Sequence, residues 1–144
     1  PILVLRRKYL IALILIIIVA VFVMQMKSPT VTVGDAVVRV EIANTEALRE
    51  RGLSGRTSLA QNTGMLFVFE REGNYGFWMK DMKFLIDIIG KKGDEKIITI
   101  DKNVFPDTYP KVFYPNAPTR FVLEVPAGFA DANKIVEGMK LVLQ

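Results

Sequence analysis

Asp87 stands on one face of an alternating apolar stretch with Leu85 and Ile89, an uncommon setting for a carboxylate. Taking such a group out of water is costly unless it is paired or hydrogen-bonded. Three uses are open to it: an ion pair with Lys80 or Arg56, an acceptor for backbone amides, or a catalytic acid/base with a raised pKa. Trp78 and Lys80 share a strand face with Met82. They read either as a core edge, with the Lys stem packed and its ammonium in water, or as the wall and anion anchor of a pocket. Arg51 and Arg56 follow a short helical stretch ended by Gly52. They either complement the negative end of the helix dipole or aim two guanidinium forks at an acidic ligand such as a uronic acid, phosphate or peptide carboxylate. Glu124 alternates against Leu123 and Val125 and reads as solvent-facing. Glycoside hydrolysis needs two acids flanking the bond, and Glu124, the only second candidate, has the wrong strand phase for it.

Composition removes other chemistries. The chain has no Cys and no His, which excludes structural zinc, thiol catalysis and a Ser-His-Asp relay. Asp101-Lys102-Asn103 starts like a calcium loop but lacks its Gly and closing Glu, so it reads as a turn and no metal site or cofactor is implied. Residues 1–34 hold four cations and no acid, which leaves 15 basic and 15 acidic residues in the rest. The formal charge of +4 therefore belongs to the N-terminal segment, and the remaining domain lacks the cationic surplus that phosphate backbones require. Nucleic acid is not an expected partner.

The elements that must position these residues begin with an uncharged run, Tyr9 to Met24, directly behind Arg6-Arg7-Lys8. Extended to Met26 it makes a helix of roughly 27 Å. It reads as a transmembrane anchor (residues 1–26) in contact with lipid through residues 9–26, with a cleaved signal and a buried helix as alternatives. The flanking cations predict a cytoplasmic N-terminus and a C-terminal domain outside. Residues 27–34 read as a spacer and 35–144 as one domain, large enough for its own core. Val38, Val40 and Ile42 alternate as a strand. Asn44 is a candidate N-cap for a helix over 45–51 that stops at Gly52. Strands are expected at Met65–Phe69, Tyr75–Met79, Phe84–Ile89, Lys96–Ile100, Arg120–Val125 and Lys140–Leu143, with a helical turn over 131–137. Pro106, Pro110, Pro115 and Pro118 predict a long ordered loop over 102–118. The fold class is α+β and β-dominated: a small, mostly antiparallel barrel-like sheet with one or two short helices, preceded by the transmembrane helix.

A series of residues then stands out in order: Arg51-Gly52-Leu53 with Arg56 and Leu59, Gly64-Met65-Leu66-Phe67, Phe77-Trp78-Met79-Lys80, Asp87, Val122-Leu123-Glu124, Gly128 and Gly138. This series resembles the family known as domain of unknown function 192, a small prokaryotic domain, over roughly residues 35–144. The resemblance implies a compact β-rich domain, often behind a signal or membrane segment, and no established activity. That family usually continues Phe-Trp-Met-Lys with Asn-Thr and later has Pro-Leu-Asp; here Asp81-Met82 and Leu85-Ile86-Asp87 stand instead. Any role of that Thr cannot operate in this chain.

The function expected is a membrane-anchored extracytoplasmic binding or accessory module for a small acidic ligand, a glycan or an envelope protein. Its candidate ligand-binding residues are Arg51, Arg56, Trp78, Lys80, Asp87 and Glu124. One alternative is a carboxylate-dependent hydrolase or glycan-processing enzyme using Asp87; another is a purely structural interaction domain. Convergence of Trp78, Lys80, Asp87 and Arg56 on one concave surface is the geometric test.

Overall fold

The computed structural model describes residues 2–25 and 28–144. Met26 and Lys27, at the expected join of anchor and spacer, lie outside the described residues. A helix α1 (Ile2–Gln25) comes first. The transmembrane expectation is corrected here: among the described residues, no helix is long and apolar enough to cross a membrane. Arg6, Arg7 and Lys8 lie inside α1 rather than ahead of it. Its uncharged part from Tyr9 to Gln25 therefore rises only roughly 25 Å, against a hydrocarbon core of ~30 Å.

The domain is β-dominated, a curled half-barrel with few helices. Its elements are β1 (Thr30–Val33), β2 (Ala36–Ala43), α2 (Glu46–Arg51), β3 (Thr63–Gly73), β4 (Phe77–Trp78), β5 (Ile86–Lys91), β6 (Ile97–Val104), β7 (Val112–Phe113), β8 (Thr119–Pro126), α3 (Phe129–Ala132) and β9 (Leu141–Leu143). Seven strands form one sheet in the order β6-β5-β8-β3-β2-β1-β9, and β4 pairs β7 in a separate ribbon. Among the pairs of the large sheet, β2 with β3 is parallel. The connection between them, which holds α2, crosses over one face. The two sheet edges are drawn together where Ile97 N donates to Met139 O and Leu141 N donates to Glu95 O, both at 2.9 Å.

Several boundaries differ from the sequence reading. Thr30–Val33, read as spacer, is a strand paired on both sides, by β2 and β9. The N-cap of α2 is Thr45 rather than Asn44; its hydroxyl accepts from Leu48 N at 3.2 Å. The Pro-rich stretch is not free of pairing, because Val112 and Phe113 pair with Trp78 and Phe77. The helical turn near the end spans Phe129–Ala132, earlier than expected.

Burial follows the period of two. Val31, Val33, Val38, Val40, Leu66, Ile89, Leu123 and Val125 fill the concave side, closed by Phe129 and Ile135. Met65, Phe67, Ile86, Ile88 and Val122 point to the other side. That side is not left to water: Leu53, Met79, Phe77 and Phe113 cover it. The central strands β3, β5 and β8 are thus buried on both faces, a condition usually met in parallel sheets covered by helices. Here irregular chain between the strands does the covering.

Candidate functional site

On the covered outer face α2, the segment after it and the start of the β4 ribbon leave a cavity of about 340 Å³ against the sheet. Its wall is aromatic. Phe67 and Phe69 come from the outward positions of β3, Phe77 and Trp78 from β4, and Tyr75 from the chain just before it. The Phe69 and Tyr75 rings stack at 3.6 Å, and Phe67 meets Phe77 edge-on at 5.0 Å. Arg49 of α2 completes this wall: its guanidinium lies 5.0 Å over the Phe69 ring and its Nη1 donates to Val68 O at 2.9 Å. Two glycines make the approach of these elements possible. A Cβ on Gly52 would meet the Phe67 ring at 3.3 Å, and one on Gly76 would collide with Val112 and Tyr114.

Glu124 forms the floor. On β8 it lies opposite Met65 of β3 and Ile88 of β5, facing outward with Val122. The solvent-facing reading of Glu124 is therefore corrected: the side chain does alternate against Leu123 and Val125, but the face it alternates to is covered, and the residue is 5 % exposed. Burial alone pushes its carboxyl up to about 8, and no hydrogen bond or cation offsets that among the described residues. Burial thus favours the protonated form, which is a donor as well as an acceptor. Gly64 holds its register: a Cβ there would come within 2.5 Å of Glu124 O. Gly64 lies inside β3.

Of the other five candidates, two join Glu124 and three go elsewhere. Arg51 and Trp78 line the same cavity as Glu124, with Trp78 49 % exposed at its rim. Asp87 is fully buried on the opposite face of the sheet, and neither Lys80 nor Arg56 pairs with it. Its Oδ1 accepts from Asn103 N at 2.8 Å and Gly128 N at 3.3 Å, and its Oδ2 from Ala130 N at 2.9 Å. Of its three possible uses the amide anchor is the one realised. A carboxylate enclosed this way ties β5 to β6 and α3 and presents no oxygen to a substrate. Arg56 makes a two-pronged ion pair with Glu41 at 2.6 and 2.7 Å, which holds its cation above and the Glu41 carboxyl below their ordinary ranges. It borders a second, shallower cavity beside β2, away from Trp78. Lys80 is exposed in the turn after β4, and its carbonyl accepts from Ser54 Oγ at 2.9 Å. The four residues of the convergence test scatter, while Arg51, Trp78 and Glu124 come together.

Phe69, Tyr75 and Arg49 were not among the site candidates read from the sequence, and Phe67 entered only through the family series. The period of two on β3 puts Phe67 and Phe69 in one row of side chains, the signal that could have found them.

The fold and cavity define a class: a small half-barrel domain with an aromatic recess over a buried acid. The chain belongs to the family of domain of unknown function 192 (DUF192, uncharacterized ACR), whose model matches residues 29–143. It is similar to a protein of unknown function from Novosphingobium aromaticivorans DSM 12444, solved at 1.22 Å, with 32 % identity and a TM-score of 0.75 over 78 % of this chain and 83 % of that one. It is also similar to a candidate transcription regulator from Sinorhizobium meliloti 1021, solved at 1.55 Å, with 27 % identity and a TM-score of 0.74 over 80 % of this chain and 91 % of the other. No curated protein matches the sequence.

Proposed function

We infer that the domain is a small-molecule binding module and that the aromatic cavity over Glu124 is its ligand site. The supporting observation is the pairing of a recess of about 340 Å³ with a buried carboxyl that has no hydrogen-bond partner among the described residues. A purely structural domain gains nothing from leaving such a group bare, because an apolar residue of similar volume would cost less there. Hydrolysis through Asp87 is not supported, since three backbone N–H groups occupy both its oxygens. The regulator description belongs to the Sinorhizobium protein; the equal count of acidic and basic residues beyond residue 34 does not favour a nucleic-acid partner here. The end of a glycan is a second reading, favoured by Trp78, which offers a half-exposed ring at the rim.

Backbone-amide NMR of the labelled chain, titrated with the neutral fragments phenethyl alcohol and indole, tests the site. Saturable shifts clustered at residues 46–54, 75–78 and 124 are expected. Shifts that never saturate at millimolar fragment, or that spread evenly over the sheet, would remove the reading.

A further inference from the structure

Resting on that reading of the cavity, we propose that its floor takes the protonated amine of a small apolar or aromatic ligand, with Glu124 as counter-ion. Glu124 is buried, lines the cavity and lacks a partner of either kind among the described residues. Beside it in the sheet stand Met65 and Ile88, which have neither charge nor N–H to offer from their side chains. Asp87 faces away, on the concave side. The charged groups that do line the cavity all come from α2: Glu46, Arg49, Glu50 and Arg51. They cancel in pairs, so the mouth selects no sign of charge and the floor decides. Arg49 is already engaged with Val68 O and the Phe69 ring, so an anion would find Arg51 as the one other cation lining the cavity, together with the acids Glu46, Glu50 and Glu124. A cation finds the reverse. Phe67, Phe77 and Trp78 offer it aromatic surface, and Arg49 over Phe69 shows that this wall already accepts a cation on a ring face. An ammonium at the floor supplies the missing partner and stabilises the ionised carboxyl, which then releases its proton to solvent as the ligand binds.

Isothermal titration of the full chain with phenethylamine, phenethyl alcohol and phenylacetate compares three ligands of one shape and different charge. The amine is expected to bind about tenfold or more tighter than the alcohol at pH 8, and phenylacetate weakest. Amine affinity should climb by about tenfold per pH unit between pH 6 and 8, while that of the alcohol stays level. Runs in buffers of different ionisation heat should show close to one proton released per amine bound at pH 6.5. Glu124→Gln should abolish the amine preference and the proton release. Equal binding of amine and alcohol, tightest binding of phenylacetate, or amine binding without proton release overturns the cation assignment and leaves the cavity as a ligand site. Failure of all three ligands overturns both.

Discussion

Glu124→Gln keeps the shape of the buried side chain and removes its proton, so its effect on stability must change with pH. In the unfolded chain the carboxyl titrates near 4.5, and in the folded domain burial pushes it to about 8. Below the lower value both states hold the proton and the group contributes no pH dependence. Between the two the native state keeps a proton that the unfolded state has released, so stability falls as pH rises, by about 1.4 kcal/mol per unit. The loss reaches roughly 3 kcal/mol by pH 7 and roughly 5 kcal/mol once the folded carboxyl has itself ionised, after which it levels off. No screening discount applies, because the residue is almost wholly out of water. Gln has no such loss. Urea unfolding of both proteins at half-unit steps from about pH 5 to 9 gives the difference curve. Asp101, Lys91 and Glu41, which also titrate away from their ordinary values, are common to both chains and cancel. The variant should be close to wild type in stability near pH 5 and should exceed it increasingly up to pH 8, with equal m-values. A difference that stays constant across this range means that the folded carboxyl ionises as easily as the unfolded one, and the bare floor of the cavity is then wrong.

Asp87→Asn exchanges a charged acceptor of three backbone N–H groups for an amide that can accept through one oxygen only. We expect a loss of about 2–4 kcal/mol in unfolding free energy, with faster amide exchange at Asn103 and Ala130; unchanged exchange there would refute the anchoring role. Gly64→Ala places a methyl 2.5 Å from the Glu124 carbonyl, which is backbone and cannot turn aside. It should cost about 1–3 kcal/mol and shift the Glu124 amide resonance, and a variant as stable as wild type would show that β3 and β8 have slack between them.

The alternation that marks β2 and β5 was legible because period two is a local property of the chain. It says which residues share a face and is silent on whether that face is covered. Glu124 was misplaced for this reason: Val122 and Glu124 point away from the barrel interior, and their cover comes from Leu53, Phe77 and Met79, distant in sequence. Lys80 was misplaced because alternation was carried past the end of a strand only two residues long, into a turn that sends the side chain to solvent. The Arg56–Glu41 pair joins a loop to β2 across fifteen positions, and no local pattern announces it. The helix cap fell one residue off because Asn44 and Thr45 are both capable caps, and the choice rests on which backbone turns first. The transmembrane reading rested on a charge-free run, and it failed where the cations proved to lie inside the helix.

Two buried carboxylates on adjacent strands show how one sheet can assign opposite uses to the same chemical group. Asp87 of β5 pairs in register with Val125, and Ile88 beside it pairs with Glu124, so the two acids sit one step apart and point to opposite faces. On the concave face the end of the half-barrel brings α3 and the end of β6 close enough to donate three N–H groups, and Asp87 is consumed by the fold. On the outer face the cover is made of aromatic side chains with Leu53 and Met79, and no donor among the described residues reaches Glu124. Glu124 is therefore buried, without a partner among the described residues, and turned to the cavity. A backbone N–H or a single Arg turned inward would have satisfied it, as Arg56 does for Glu41 at the surface. Arg49, the cation best placed to do so, is instead held on the Phe69 ring and the Val68 carbonyl. Among the described residues Glu124 is left without a partner, and that is the ground on which we propose that a ligand supplies one.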